Sequence, residues 1–460
     1  MTNNDNTTAA LRIAIVGGGA AGFFAAIEAK RRQPSARVCL YEKNAKVLAK
    51  VAVTGGGRCN LTNSFAEVSD LRQVYPRGHQ LMKRLFNQFD HHATMAWFER
   101  HGVPLVTQDD QCVFPQSQDA QTIIDCLVSQ AKVLGVTIHT RHSLVSIARG
   151  EDDRLLLSFR VAEGGSSAEQ GSLRELLFDR VAITTGGHPR ADRFDYLARL
   201  GHEVETPVPS LFTLNIADPA FRALMGTVVE RALVSIPSTR HKAAGPLLIT
   251  HWGMSGPAVL KLSSHAARHL RENDYRDRVA VNWVDETNQA LVGDTIRRLA
   301  SANPQKQLTS LRPYGLPARL WGYLLAKIGL AQDKKWAEIG KKGHHQLVST
   351  LTNDLYEVNG KGSFKDEFVT CGGIALRHLH PHTLESKVCP HLFFAGEVCD
   401  VDAITGGFNL QAAWTMGHVV GRHIAWTEAT GSFCRMTTQK ARLRQNLHLD
   451  AASCQLGESS

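Results

Sequence analysis

The sequence predicts an α/β fold of Rossmann type, split along the chain by an inserted β-barrel-like domain and a small helical subdomain. Three observations predict it. After Arg12, four apolar residues, Ile13 to Val16, lead straight into Gly17-x-Gly19-x-x-Gly22 and an alanine-rich stretch. A second apolar run, Val38 to Tyr41, ends at Glu42. Far along the chain, Leu392-Phe-Phe-Ala closes on Gly396-Glu397, and a helical pattern begins near Asn409.

The first two runs read as strand, glycine turn, helix, strand and acid, which is the layout of a dinucleotide-binding unit. Gly17 permits the tight turn, Gly19 lets the backbone approach a pyrophosphate, and Gly22 lets helix and strand pack closely. Ala20 and Ala21, where the helix starts, belong to the same expected cofactor-binding set. The helix N-terminus offers free N–H groups and a partial positive charge to phosphates. Glu42 is placed to accept hydrogen bonds from a ribose, with Lys43 beside it. An acid there disfavours a 2′-phosphate and does not separate NAD from FAD.

Beyond Glu42 comes a second glycine-rich loop, Thr54 to Arg58. Residues 79–102 read as one helix, with Leu81, Leu85, Phe89 and Met95 at helical spacing. Asp119 to Leu134 reads as an amphipathic helix ended by Gly135. Short strands follow at Val136–His139, Ser143–Ile147 (with Leu144 an expected cofactor contact), Leu155–Val161 and Leu173–Phe178, the last two flanking a mobile loop at Glu163–Gly171. Val181-Ala-Ile-Thr then runs into Thr185-Gly186-Gly187, small residues that bring a backbone close to a cofactor. Strand-like runs at 211–216, 227–236 and 246–250 indicate the inserted β domain. Residues 286–353 carry helical patterns, with Pro304, Pro313 and Pro317 at expected starts or breaks. The predicted boundaries are 11–194 and 368–430 for the two parts of the cofactor domain, 195–285 for the β insert, 286–353 for the helices and 354–367 for the return. A polar tail spans 431–460, and Met1 to Ala10 reads as a disordered lead-in.

The 460 residues suffice for two or three domains. With 43% hydrophobic and 21% charged residues, the composition is that of a globular protein. No apolar run approaches the roughly eighteen residues of a membrane span, and no signal-peptide core is present, so a cytoplasmic location is expected. Nine scattered cysteines without a C-x-x-C pair indicate neither a zinc site nor a disulfide framework. The net charge of +9 fits a polyanionic partner such as RNA, or a solvated surface in which basic residues dominate.

A nicotinamide enzyme needs one dinucleotide unit, whereas a flavoenzyme must also hold a ribityl chain and a ring. Gly396-Glu397 suits that need, because a carboxylate at a central strand end can bind ribityl hydroxyls. The helix near Asn409 aims its N-terminus at the flavin N1–C2=O region, where it stabilises the negative charge of reduced flavin.

Several segments resemble the BaiN-like (YhiN-like, RdsA-like) family of FAD flavoproteins. They are Lys50-x-x-x-Thr54-Gly55-Gly56-Gly57-Arg58-Cys59-Asn60-Leu-Thr62-Asn63, Thr250-His251-Trp-Gly253-Met-Ser255-Gly256-Pro257, Thr370-x-Gly372-Gly373, Glu385-Ser-Lys387, and Phe394-Ala-Gly396-Glu397 through Asp400, Asp402, Gly407 and Asn409-Leu410-Gln411. The resemblance implies FAD in a glutathione-reductase-like fold. Gly187 departs from the pattern, leading through His188-Pro189-Arg190 straight back to a helical stretch instead of a longer glycine-rich loop. Arg58 and the amides of Gly55 and Gly56 suit a pyrophosphate oxygen. Arg58 also stands to lower the pKa of Cys59, making it either a proton donor to a substrate carbon or a small packed cysteine. Lys50 reads as facing the flavin or a phosphate, or as a surface lysine. His251 reads as an acid or base, or as a turn-ordering histidine.

The resemblance implies redox chemistry with NAD(P)H as donor. The leading expectation is reduction of a carbon–carbon double bond, with a ribosomal RNA uridine as substrate and Cys59, Lys50 or His251 as proton source. Bile-acid-like ene reduction and aminoacetone-oxidase-like amine oxidation are small-molecule alternatives. A non-catalytic flavin-containing RNA-binding factor is an alternative of another class.

Overall fold

The computed structural model describes residues 10–162, 171–362 and 369–426. The expected mobile loop, apart from Gly171, and the expected polar tail lie outside the described residues, as do most of the lead-in and the end of the return segment.

Five parallel strands form the central sheet: β1 (Arg12–Val16), β2 (Arg37–Tyr41), β3 (Thr137–His139), β4 (Arg180–Ile183) and β5 (Leu392–Phe394). Their spatial order is β5-β4-β1-β2-β3, so the C-terminal part of the chain completes a sheet begun at the N-terminus. Strands β1 and β4 are almost wholly apolar and buried, as befits strands covered on both faces.

Helix α1 (Ala20–Arg32) follows the first glycine turn, and α2 (Phe408–Ile424) is the last helix described. They cross where two glycines remove side-chain bulk. A Cβ on Gly417 would lie 2.4 Å from the Ala21 carbonyl oxygen, and one on Gly421 would lie 2.5 Å from that of Ala25. Phe24 packs between Trp97 and Trp414 at centroid separations of 4.8 and 5.0 Å, closing this face of the core. The other face is covered by a three-stranded antiparallel sheet, His142–Arg149, Leu155–Val161 and Ser172–Phe178.

The insert is a closed six-stranded barrel in the order Leu214–Ile216, Gly253–Ser255, Lys242–Ile249, Val228–Ser235, Arg276–Asn282 and Asp354–Lys361. Helices Gln289–Ala302, Ala318–Lys327 and Lys341–Thr352 share one hydrophobic core with it, built around Trp283, Trp321 and Trp336. An antiparallel ribbon, Val204–Ser210 with Val369–Ile374, connects the barrel region to the central sheet domain.

The single helix expected over 79–102 is two, His79–Phe86 and His91–Arg100. Asp90 ends the continuity because its carboxylate accepts from the Ala93 N–H at 2.8 Å and caps the second helix. The helix expected from Asp119 is Ala120–Leu134, with Asp119 as its N-cap and Gly135, at φ 82°, as its C-cap.

Candidate functional site

The site forms at the C-terminal ends of β1, β4 and β5, where three backbone turns meet. Gly17 sits at φ 117°, and a Cβ there would lie 2.3 Å from the Thr184 carbonyl oxygen. A Cβ on Gly22 would lie 1.9 Å from the Gly17 carbonyl oxygen. These two glycines are therefore demanded by the fold itself. Gly19 differs, since nothing lies within 4 Å of where its Cβ would be. It faces open space at the start of α1. No side chain caps α1 and its first turn carries no acid, so the N–H groups of Ala20, Ala21 and Gly22 have no intrahelical acceptor.

Glu42 is fixed by three donors. Gly18 N–H donates to Oε2 at 2.9 Å, and the N–H and amide of Asn44 donate to Oε1 at 2.8 Å each. This ties the end of β2 to the first glycine turn and holds the carboxylate at the rim of the open space. Leu144 is half-buried in the antiparallel sheet, two residues past His142, whose N–H donates to the Glu42 carbonyl at 2.9 Å.

The third wall combines Gly187, Thr370 and Glu397. A Cβ on Gly187 would lie 2.7 Å from Thr370 Cβ and 2.9 Å from the Glu397 carboxyl carbon. Glu397 accepts from the Thr370 N–H at 2.6 Å and from Lys50 Nζ at 3.2 Å. Lys50 reaches it from the short helix Ala49–Val53 that leads into the second glycine loop, with a side chain 61% exposed, so the ammonium lies on the solvent side of the pair. Gly396 abuts Ala21, whose Cβ would be 3.1 Å away from an added one. Gly186 faces open space, and the Thr185 side chain lies beside the phenol of Tyr196. Lys43, exposed, is close enough to His188 to help hold that imidazole below its ordinary pKa, after burial as the main cause.

In the second glycine loop, Gly55 and Gly56 are left-handed at φ 58° and 69°. Space is open around Gly56, while Gly55 is pressed against Asn60 and Phe114. Arg58 donates to the Gly55 carbonyl at 3.1 Å and to Gln118 Oε1 at 3.3 Å, with its guanidinium 4.4 Å from the Phe114 ring centre. Among the described residues no carboxylate pairs with it, which leaves its charge available to an anion. Asn60 bridges to the start of the helix opposite: with its amide oriented to satisfy both neighbours, the nitrogen donates to the Thr62 carbonyl at 3.0 Å and the oxygen accepts from Gly407 N–H at 3.2 Å.

Two expectations are corrected. Arg58 does not lower the Cys59 pKa; the thiol is fully buried and is pushed up to about 12 by burial. Gln411, expected with Asn409 and Leu410 to bind the cofactor, spends both its side chain and its N–H within the protein, whereas Asn409 spends its side chain and keeps its N–H free. Asn409 accepts from Ala403 N–H and donates to its carbonyl, both at 2.9 Å, bracing the loop before α2. Gln411 is fully buried, accepting from Thr62 and donating to Thr94 and Thr415. The N–H of Gln411 is also spent, on the Gly407 carbonyl at 3.0 Å, so the free amides at this end are those of Phe408, Asn409 and Leu410. His251 is exposed in the turn between two barrel strands, its ring against Trp252.

Thr370 lies in one of the family-like segments without a role that the sequence assigns, and Tyr196, Arg77 and Arg268 carry no local signal. Thr370 and Tyr196 join the site through tertiary contacts. Arg77 donates to Asp402 and, at 2.5 Å, to the Ser264 carbonyl of the insert; Ser210 donates to Asp402 at 3.0 Å and Arg268 to Asp400 at 2.7 Å, so both acids of the Asp400-x-Asp402 segment meet the insert. Burial opposes the Arg77 charge, and the two carboxylates outweigh it and hold its pKa above the ordinary value.

The residues fit an extended dinucleotide. Open space lies at Gly19, Gly56 and Gly186. Two helix N-termini lack side-chain caps, one guanidinium is unpaired, and Glu42 and Glu397 stand at opposite ends. No described helix is long and apolar enough to cross a membrane.

The family described as HI0933-like protein Rossmann domain matches residues 11–423. A 3-dehydro-bile acid delta(4,6)-reductase of Clostridium scindens is 28% identical, over 90% of this chain and 99% of that protein. A ribosomal RNA dihydrouridine synthase of Escherichia coli is 28% identical, over 87% and 94%. Another, of Haemophilus influenzae, is 26% identical, over 89% and 98%.

Proposed function

This chain belongs to the HI0933-like family, and from that premise we propose that it is an FAD-dependent reductase of a carbon–carbon double bond, with NAD(P)H as electron donor and a ribosomal RNA uridine as substrate. The observation that carries the reading is the convergence of the three glycine turns, Glu397 and the start of α2 at one end of the central sheet, with Lys50 bonded to Glu397 and Gly396 against Ala21. Bound there, FAD supplies hydride transfer.

The chain's own residues have separable tasks. The amides at the start of α1, with Arg58, neutralise a pyrophosphate. Glu42 orients a ribose, and Glu397, steadied by Thr370, orients hydroxyls of the second half of the dinucleotide. The amides opening α2 stabilise developing negative charge beside them. Lys50 is the ionisable group nearest the solvent side of Glu397, and it is the proton source the geometry favours. Cys59, neutral and enclosed, packs the second glycine loop, and His251 is assigned no proton transfer.

Ribosomal RNA is favoured over a small molecule by charge. Between residues 286 and 353 the sequence carries ten Lys or Arg against four Asp or Glu, most of the net positive charge of the chain. Two relatives bear the dihydrouridine-synthase name over nearly their whole length. The bile-acid reductase supports a second reading, a cyclic small-molecule enone.

The test has two arms. Anaerobic NADH or NADPH is expected to bleach the flavin of the purified protein, and Lys50→Met is expected to keep flavin binding while slowing substrate turnover. Deletion of the gene is expected to remove a dihydrouridine from large-subunit ribosomal RNA. Unchanged dihydrouridine together with turnover of an enone would replace the RNA reading by the second one.

A further inference from the structure

A second pocket lies behind the candidate cofactor site, between the central sheet and the antiparallel sheet that covers it. Alternation along β2 puts Arg37, Cys39 and Tyr41 on one face, with Arg12 paired to Arg37 on β1. The covering sheet contributes Arg174, Leu176 and Phe178, and His139 and His142 close the end. Together they line a cavity of about 90 Å³, several times the room that one water needs, which opens to solvent where Arg37 and Arg174 are exposed.

Its walls are ordered. The Tyr41 ring is stacked between His139 and Phe159, at centroid distances of 4.9 and 4.4 Å. His142 is oriented by the Thr140 carbonyl, 2.7 Å from its Nδ1. The Arg12 guanidinium lies 5.5 Å from the Phe178 ring centre. Its backbone N–H, not its guanidinium, donates to Asp179, at 2.6 Å. Among the described residues, no carboxylate forms an ion pair with Arg12, Arg37 or Arg174. The uncompensated charge is felt locally: His139 is held below its ordinary pKa by burial first, then by His142, Arg174 and Arg37. Three arginines line one cavity with no carboxylate ion-paired to their guanidiniums, an arrangement that an anion relieves, and the planar fork matches a tetrahedral oxyanion.

We propose that this cavity is a phosphate-group binding site, distinct from the dinucleotide site and formed by Arg12, Arg37, Arg174, His139 and His142. It communicates with the first site through backbone alone. The Glu42 N–H donates to the His139 carbonyl at 2.8 Å, and the His142 N–H donates to the Glu42 carbonyl at 2.9 Å. The phosphate belongs either to a polynucleotide backbone or to a small phosphorylated molecule.

The experiment follows the histidine ring signals of the full-length protein, as isolated, by NMR during titration with inorganic phosphate. Sodium chloride at matched ionic strength is the control. Saturable shifts of His139 and His142 with phosphate alone are expected. The Arg37→Gln/Arg174→Gln variant is expected to weaken them at least about tenfold, the loss of one or more charge-assisted hydrogen bonds. Its flavin content should equal that of the wild type, which separates this site from the cofactor reading. Arg174→Lys, which keeps the charge and loses the fork, should fall between. A short RNA that moves the same signals through the same arginines names a polynucleotide as the source. An RNA that does not, while phosphate does, names a small phosphorylated ligand. Equal shifts with chloride, no saturable shift at millimolar phosphate, or shifts indifferent to both arginines would overturn the proposal.

Discussion

Gly19→Ala and Gly22→Ala, three residues apart in one turn, are expected to fail in opposite ways. At Gly22 the added Cβ would stand 1.9 Å from the Gly17 carbonyl oxygen and 2.8 Å from Thr184 Oγ1. An ordinary non-bonded carbon contact needs roughly 3.5 Å. Helix α1 must therefore retreat by more than about 1 Å, or the Gly17 turn must open. Overpacking of this kind costs about 1–3 kcal/mol, and the neighbour here is backbone rather than a yielding side chain. The cofactor-free protein should lose stability by at least that much. At Gly19 nothing lies within 4 Å of the new carbon, and φ is −93°, which alanine adopts freely. The apo-protein should change by no more than about 1 kcal/mol, the cost of alanine at a helix N-cap. Yet the methyl group projects where a pyrophosphate must approach the α1 amides. Flavin affinity should fall about ten- to a hundredfold, or roughly 1.4–2.8 kcal/mol. Urea denaturation of the apo forms and fluorescence titration with FAD separate the two effects. A Gly19→Ala protein that binds FAD as tightly as the wild type would refute the assignment of the open space.

Other outcomes follow from burial. Asp402→Asn leaves the Arg77 guanidinium without its carboxylate between the two parts of the molecule, and should destabilise the fold by about 3–5 kcal/mol in chemical denaturation. His418 and His423 on α2 are each lowered to about 4, mainly by burial, from an ordinary 6.5. Below pH 6.5 the unfolded chain takes up these protons first. Stability should therefore be greatest above that pH and fall between 6.5 and 4, by up to about 1.4 kcal/mol per pH unit for each histidine; His418→Gln should flatten the slope. Cys59 should resist iodoacetamide in the folded protein near pH 8, where its thiol stays protonated, and react only after unfolding, as read by mass spectrometry.

The parts legible in the sequence are those whose partners lie close in the chain. The turn from Val16 to Gly22 and the acid at Glu42 are positioned by one strand–helix–strand unit, so their roles can be read from spacing. Asp119 and Gly135 bracket a helix in the same local way. Gly396 and Glu397 were legible because a short strand ending in glycine and acid constrains its own backbone. What spacing does not carry is the direction in which a side chain is spent. Gln411 follows the α2 amides in sequence, but Thr62 and Thr94 draw its amide into the core from more than three hundred residues away. Cys59 has an arginine for a neighbour in the chain, yet in space it is enclosed, and burial dominates its titration. Thr370 enters through a ribbon whose other strand begins at Val204, and nothing near either segment announces the encounter with Glu397.

The most direct test of the central claim is the visible spectrum of the purified full-length protein, with its flavin extracted and counted. The account predicts a yellow protein carrying one FAD per chain, or an apo-protein that acquires one FAD on incubation with the free cofactor. A polypeptide that remains colourless in excess FAD, with its α1 turn intact, would contradict it.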